Sequence, residues 1–275
     1  MDDQHREEQQ AVLVLDLLCH YRTYRNIHRL MGSDHSEGNA FNPQEGEMIL
    51  IDKDLKWTSF DVVKRIRNLI YHELGIKKCK VGHAGTLDPL ATGLLIVCTG
   101  RMTKKITSFQ ETEKEYTGRI RLGQTTPSLD RETEVDQEFP WEHINKNSIE
   151  AAMRTFVGEI LQTPPIYSAK KIDGKRAYRS ARAGEVVKMR QQLVTISEFE
   201  LTDVALPGIG FRVVCSKGTY VRTLAGDLGK ALDSGAHLIE LRRTRSGEHH
   251  VKDAMEMEAF EKHIKEQTAS PTSND

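Results

Sequence analysis

Residues 82–94 hold one carboxylate, Asp88, among three glycines and one proline. Glycine and proline at this density predict a tight, fixed loop rather than a regular element. Because Pro89 disfavours helical backbone at the preceding residue, the loop presents the Asp88 side chain from a rigid backbone. One histidine and no cysteine give weak support for a metal site, and no second carboxylate is present for a hydrolase pair. A lone Asp held this way indicates a nucleophile or an electrostatic partner, the alternative being an ordinary Asx-turn residue.

Several further short segments follow the Asp88 segment along the chain. They are residues 95–105, Lys114-Glu115-Tyr116, Arg121-Leu122-Gly123, Tyr167-Ser168-Ala169, residues 216–223 and Leu241-Arg242-Arg243. In type and order, and over roughly residues 46–246, these segments closely resemble the motifs of the TruB-type tRNA pseudouridine synthases. The resemblance implies that the chain isomerises uridine to pseudouridine at position 55, in the T loop of tRNA.

The resemblance assigns the central roles in that reaction to three residues. Asp88 is the nucleophile, and it either adds to the base or captures C1′ of the sugar. A carboxylate nucleophile in a closed pocket needs a positive partner to stay ionised, and Arg222 matches the family arginine that supplies it. Bidentate guanidinium geometry would make lysine a poor replacement at that position. Tyr116 matches the residue that stacks on the target base and helps remove the C5 proton, the alternative being a core tyrosine.

Four more residues match family positions around the uracil pocket. Tyr220 and Leu241 correspond to pocket-lining positions, although Leu241 alone would be read as a core residue. The target uridine must leave its stack before reaction, and His83 matches the residue that fills the vacated space or stacks in the RNA. Lys53 matches a basic position near the pocket, but here Asp54 follows it where the family usually has proline.

Seven basic residues are expected to contact the RNA backbone. Residues 170–182 carry six Lys or Arg against one Asp, whereas residues 131–142 and 253–275 are acidic. A local basic face therefore survives a formal net charge of −1, although a solvated charged face would give the same pattern. The predicted phosphate contacts are Lys170, Lys171, Lys175, Arg176, Arg101, Lys104 and Lys105. The loop near Thr126-Pro127 departs from the family, which commonly has Thr-Asp there, so its RNA contacts are left open.

Strand and helix patterns alternate along the chain without a repeating βαβ unit. This favours an α+β domain with a largely antiparallel or mixed sheet. The resemblance implies the pseudouridine synthase catalytic fold, a mixed, mostly antiparallel sheet with flanking helices and an RNA-binding cleft. Residues 1–45 are predicted to be a helical extension and linker, 46–250 the catalytic domain, and 251–275 a helix and polar tail with no PUA domain. The predicted elements are strands at 47–53, 94–98, 114–123, 193–204, 211–215 and 237–245, and helices at 59–74, 148–157, from 219 and at 255–265.

The remaining expectations concern partners and compartment. The four cysteines, Cys19, Cys79, Cys98 and Cys215, show no CxxC spacing and indicate reduced thiols in a cytoplasmic protein. The sequence suggests neither a membrane span nor a secretory signal. Isomerisation needs no redox change and no net hydrolysis, so we expect no cofactor. We also expect no metal and a monomeric enzyme whose partner is the tRNA T arm. The alternatives are a catalytically silent RNA chaperone and an N-glycosidase.

Overall fold

The computed structural model describes residues 41–168, 170–172, 175–176 and 189–269. The helix and linker predicted before residue 41 lie outside these ranges. The α-helices are α1 Ser59–Leu74, α2 Ile106–Glu111, α3 Lys146–Arg154, α4 Val221–Ala231 and α5 Met257–Ala269. The strands are β1 Met48–Lys53, β2 Val81–Ala84, β3 Ala91–Thr99, β4 Lys114–Leu122, β5 Gln124–Thr125, β6 Gln137–Glu138, β7 Gly158–Gln162, β8 Lys171–Ile172, β9 Lys175–Arg176, β10 Gln192–Ala205, β11 Gly208–Cys215, β12 Ala236–Ser246, β13 His249–His250 and β14 Met255–Glu256. Short 3-10 helices cover Gly100–Lys105 and Val251–Asp253.

A single large sheet organises the described part of the chain. Its strand order is β14-β1-β3-β12-β4-β11-β10-β7, with β2 paired to β3 and β13 paired to β12. The β14–β1 and β3–β12 pairs are parallel, and the other pairs of this sheet are antiparallel. The predicted α+β fold with a mixed, mostly antiparallel sheet is therefore confirmed.

Helix α1 follows directly from local sequence. Thr58 caps its first turn, and the Asp61 side chain bonds back to the Thr58 backbone, which completes a capping box. Gly75 ends the helix in the left-handed conformation, as glycine commonly does. The apolar stripe of α1 packs on β1, β3 and α5 in one buried cluster. Helix α5 contributes Met257, Phe260 and Ile264 to this cluster, so the C-terminal helix shares a core with the strands beside Asp88.

Strand β3 is covered on both faces, as its continuous apolar run predicts. Leu95 and Val97 point into the cluster under α1, whereas Leu94 and Ile96 lie in a second cluster beside α2. A third and larger core lies between α3, α4 and strands β4 and β10–β12. The strands that carry the candidate site residues are thus fixed from several sides.

The predicted positions of the main helices and strands agree with the structure to within a few residues. The prediction that residues 82–94 form a loop throughout is wrong, because β2 takes residues up to Ala84 and β3 begins at Ala91. The pairing of β2 with β3, in which Gly82 lies opposite Cys98, leaves no pattern in the sequence. The loop around Asp88 is therefore only residues 85–90.

Two sequence expectations concern thiols and membranes. Cys98 and Cys215 are buried and unpaired, and Cys79 is half-buried and unpaired, while Cys19 lies outside the described residues. Among the residues described, none of the helices combines the length and the apolar character that a bilayer crossing requires.

Candidate active site

The loop at 85–90 is fixed by hydrogen bonds from neighbouring elements. At the start of α1, the Ser59 hydroxyl donates to the Leu87 carbonyl at 3.1 Å and accepts from the Leu87 N–H at 2.8 Å. The Lys56 N–H donates to the Pro89 carbonyl at 2.7 Å. Because these bonds flank Asp88, the loop presents this side chain from a restrained backbone.

Asp88 and Arg222 form an ion pair at the protein surface. The Arg222 Nη2 atom lies 2.9 Å from Asp88 Oδ2, and the Arg222 side chain is only 5% exposed, whereas that of Asp88 is 43% exposed. Arg222 lies in the first turn of α4, immediately after Tyr220 and Val221. The structure thus joins two residues 134 positions apart, with the cation buried and the carboxylate open to an incoming molecule.

A second carboxylate, Asp130, shares the same guanidinium. Its Oδ2 atom lies 3.4 Å from Arg222 Nη1, and its side chain is 8% exposed. Arg222 also donates to the carbonyls of Ser128 at 3.2 Å and Tyr167 at 2.9 Å. The expectation that Asp88 has no carboxylate near it is therefore wrong in three dimensions. The Arg222 guanidinium therefore contacts one carboxylate with each terminal nitrogen and does not form a bidentate pair with Asp88.

Opposing influences act on the Asp88 carboxyl. Burial desolvates it and raises its pKa above the ordinary value, and the negative charge of Asp130 acts in the same direction. The Arg222 guanidinium lowers the pKa of Asp88, but the net shift is upward.

Tyr116 and Leu241 come from adjacent strands, β4 and β12. Leu241 lies opposite Gly118, and Tyr116 lies opposite Arg243. Both side chains are half-buried and pack against the large core. Burial raises the pKa of the Tyr116 hydroxyl, and the Arg243 charge lowers it.

Tyr220 is held at the start of α4 by a side chain from β7. Gln162 Oε1 accepts from the Tyr220 N–H at 2.8 Å, and Gln162 Nε2 donates to the Tyr220 carbonyl at 3.1 Å. Gln162 is almost completely buried, so the bond pair fixes the residue two positions before Arg222. Burial raises the pKa of Tyr220, and the nearby Asp88 charge acts in the same direction.

His83 and Lys53 lie on β2 and β1, behind the loop. Burial, followed by the Arg243 charge, lowers the pKa of His83 and favours the neutral ring. Lys53 is completely buried, and its ammonium donates to the carbonyls of Asp54 at 2.8 Å and Trp57 at 2.7 Å. Burial lowers the pKa of Lys53 to about 8. Lys53 therefore holds the turn at residues 54–57, and it is Lys56 of this turn that bonds to the Asp88 loop at Pro89.

The seven predicted RNA-backbone residues fall into two groups. Arg101, Lys104 and Lys105 lie on the 3-10 helix after β3, with their side chains exposed. Lys170 is half-buried, and its ammonium donates to Gln192 Oε1 at 3.0 Å. Lys171, Lys175 and Arg176 lie on the small β8–β9 hairpin, where the structure describes the backbone pairing only. The rest of the basic segment, 177–182, lies outside the described residues.

Sequence reasoning missed several residues that shape the site. Asp130, Ser59 and Gln162 act through contacts with residues that are 92, 28 and 58 positions away. The one available signal was Asp130 itself, which lies three residues after Pro127 in the loop whose RNA contacts the sequence left open. Thr126 Oγ1 donates to the Asp130 carbonyl at 2.6 Å and so fixes the turn that carries this carboxylate. Residues Thr126 and Ser128 are buried in that turn, while Pro127, which departs from the family pattern, is exposed.

Known proteins match both the sequence and the fold. The model of the TruB family pseudouridylate synthase N-terminal domain matches residues 72–221, and that of the tRNA pseudouridylate synthase B C-terminal domain matches 222–273. A tRNA pseudouridine synthase B of Flavobacterium johnsoniae is 56% identical over 80% of this chain and 96% of its own length. One from Phocaeicola vulgatus is 52% identical over 85% of this chain and all of its own.

Solved structures agree with these matches. A chain in the crystal structure of a Cbf5–Nop10–Gar1 complex is 26% identical, with a TM-score of 0.60 over 86% of this chain and 67% of that one. This chain belongs to the TruB family of pseudouridylate synthases, and the resemblance predicted from its motifs is confirmed. It is an isomerase with the pseudouridine synthase fold.

Proposed function

We propose that this enzyme converts uridine to pseudouridine at position 55 of tRNA, in the T loop, with Asp88 as the nucleophile on a flipped-out uridine. The observation that carries the proposal is the pair of an accessible Asp88 carboxylate and the buried Arg222 guanidinium, 2.9 Å apart. A rigid loop, an opposite charge and an open face are what a carboxylate nucleophile requires. The curated relatives named tRNA pseudouridine synthase B support tRNA as the substrate.

The proposed reaction is balanced without any added reagent. The C1′–N1 bond breaks and a C1′–C5 bond forms. The proton on C5 leaves, and N1, now free of the sugar, gains a proton. Because substrate and product are isomers, the reaction involves neither net oxidation nor net hydrolysis, and we propose no cofactor for it. Tyr116 stacks on the base and takes part in removing the C5 proton.

The target uridine must leave its stacked position before Asp88 can reach it. In our proposal, His83 fills the space that the base vacates, and Tyr220 and Leu241 line the pocket that receives it. The exposed side chains of Arg101, Lys104 and Lys105 meet RNA phosphates, together with the basic segment that begins at Lys170. A reaction on tRNA places the enzyme in the cytoplasm.

The first test replaces Asp88 with Asn and measures tritium release from T-arm RNA that carries [5-³H]uridine. The Asp88→Asn variant should release no tritium, because the amide is not a nucleophile, while its RNA affinity should stay within about threefold because the shape is unchanged. An Asp203→Asn variant is the matched control, since Asp203 is exposed and pairs with Arg119 away from the loop.

The products separate this proposal from its alternatives. RNA binding without tritium release by the wild-type protein would indicate a chaperone, and free uracil would indicate a glycosidase. Substantial turnover by Asp88→Asn would remove Asp88 from the chemistry. Tritium release from T arms that carry the label at U55 only is the result that supports the stated position.

A further inference from the structure

We propose that Arg243 is a positioning residue, which locks the Asp88 loop and the Tyr116 hydroxyl to one buried guanidinium. The inference rests on the proposed role of Asp88. Arg243 is the fourth-last residue of β12, and only 1% of it is exposed. It therefore cannot touch RNA itself, and any effect on the reaction must pass through the groups it holds.

The guanidinium holds the two ends of the polypeptide segment that carries Asp88. Arg243 Nε donates to the Leu94 carbonyl at 2.7 Å, and Nη2 donates to the Gly85 carbonyl at 3.2 Å. Gly85 precedes Asp88 in the chain, and Leu94 follows it. A planar guanidinium has its donors in a fixed fork, so the two bonds set the separation of the loop ends rather than only attracting them.

Arg243 differs from its neighbours in its partners. Arg242 and Arg245 pair with Asp52 and Glu113, whereas no carboxylate in the described residues forms an ion pair with Arg243. A buried charge without a counter-ion is costly unless dipoles compensate for it. An apolar side chain would suffice here if packing were the only requirement. The buried cation therefore indicates that Arg243 acts on the surrounding carbonyls and the Tyr116 hydroxyl.

Gly93 allows this arginine to approach so closely. Gly93 lies opposite Arg243 in the parallel β3–β12 pair, and a Cβ atom there would lie 2.3 Å from the Arg243 carbonyl oxygen. On its other side, Arg243 pairs in register with Tyr116 of β4. The arginine therefore sits between the two strands that carry the loop end and the tyrosine.

Tyr116 is the third group that Arg243 influences. A hydrogen bond and the guanidinium charge both act to lower the pKa of Tyr116, against the larger effect of burial. Because burial leaves the pKa of Tyr116 raised on balance, the main effect of Arg243 is to orient the hydroxyl for its proposed part in removing the C5 proton. Arg243 thus connects the proposed nucleophile and the proposed proton acceptor through one rigid group.

The test is Arg243→Lys, with Arg242→Lys as the matched control on the adjacent position of the same strand. Lysine keeps the charge but cannot span both carbonyls. The single-turnover rate of tritium release should fall about tenfold or more, because small misplacements of reacting groups are costly, while the dissociation constant for T-arm RNA stays within about threefold. Arg242→Lys should keep its rate within about twofold, since its partner Asp52 lies outside the loop.

A double-mutant cycle with Tyr116→Phe provides the second readout. If Arg243 acts partly through the hydroxyl, Arg243→Lys should cost clearly less in the Tyr116→Phe background than in the wild type. Additive losses would remove Tyr116 from the proposal, and a wild-type rate in Arg243→Lys would overturn it. A purely structural role would instead lower the folded fraction, measured by circular dichroism, without changing the rate per folded molecule.

Two further results keep the test decisive. If Arg243→Lys does not fold, Arg243→Gln retains an amide NH2 donor without a buried charge and carries the same expectation. Failure of both to fold would overturn the proposal by assigning Arg243 to core stability. The Asp88→Asn variant separates the two claims: turnover in Asp88→Asn refutes the nucleophile, whereas an inactive Asp88→Asn beside a fully active Arg243→Lys refutes only the positioning role.

Discussion

At the scale of single residues, the site is a balance of charges around one buried cation. Arg222 is bonded to Asp88, Asp130 and two backbone carbonyls, so none of its contacts can be altered without changing the others. Asp88 is the exposed member of this set and Asp130 the buried one. We infer that Asp130 holds Arg222 in place and leaves one face of the guanidinium directed at Asp88.

This arrangement predicts opposite pH shifts for two substitutions. In the proposed mechanism ionised Asp88 is the active form, so the rate should rise with pH through the pKa of Asp88 and then level off. Arg222→Gln removes the charge that lowers this pKa, so the rising, acidic limb of the pH–rate profile should move to higher pH. Asp130→Asn removes a charge that raises it, and the limb should move to lower pH. Single-turnover rates across the pH range measure both shifts.

The plateau rates provide the check on this prediction. Both variants should also be slower than wild type at the plateau, by about ten- to a hundredfold for removal of one charge-assisted hydrogen bond. Shifts of the same sign in the two variants, or no shift in either, would show that the limb does not report Asp88. The exposed pair Lys230–Asp227 offers Asp227→Asn as a control that should leave the limb unchanged.

At the scale of elements, the site depends on how closely β3 and β12 approach. These strands are parallel neighbours, and they bring Leu241 and Arg243 beside the end of the Asp88 loop. The contact at Gly93 is between backbones, which cannot rotate away as a side chain could. The short β2 strand pairs with the other edge of β3 and fixes the loop at its beginning.

Gly93→Ala should therefore be far more damaging than Gly158→Ala, although the two glycines have φ angles of +102° and +110°. An alanine at 158 meets no atom within 4 Å, so it should cost only the conformational strain, about 1–2 kcal/mol. At Gly93 the backbone clash adds about 3 kcal/mol or more to that strain. Urea unfolding of both variants measures the difference, and equal losses of stability would contradict the described approach of β3 and β12.

At the scale of the whole molecule, a formal net charge of −1 conceals separate basic and acidic surfaces. The acidic segments lie at residues 131–142 and in the C-terminal part, while the exposed 3-10 helix after β3 carries Arg101, Lys104 and Lys105. A polyanion responds to the local field within about 10 Å rather than to the total charge. RNA binding by a nearly neutral protein is thus consistent with its charge distribution.

Neutralising the basic segment should weaken binding to many T-arm sequences alike. Changing Lys170, Lys171, Lys175 and Arg176 together to Gln should reduce the slope of log affinity against log salt by roughly 0.7–0.9 for each phosphate that the variant no longer neutralises. Activity at saturating RNA should be largely kept, since these residues position RNA without touching the base. A Lys230→Gln, Lys262→Gln variant is the control, because both lysines are exposed and paired with acids elsewhere. An unchanged slope in the quadruple variant would identify the segment as a solvated surface.

The sequence by itself determined much of this protein. Apolar periodicity predicted α1 to the residue, because a helix of this kind is specified by contacts three and four positions apart. The continuous apolar run of β3 predicted a strand buried on both faces, and the order of short motifs predicted the family. Local rules suffice for features whose causes lie within a few residues of each other.

Only the tertiary structure decided which distant groups share one site. It placed Asp130 on the guanidinium that Asp88 also contacts, buried Lys53 under the turn at residues 54–57, and set Arg243 between Gly85, Leu94 and Tyr116. None of these contacts leaves a periodic or compositional signal, because strand register and close backbone approach at glycine create them. The chain specifies these contacts only once the sheet has formed, and the proposed chemistry depends on them.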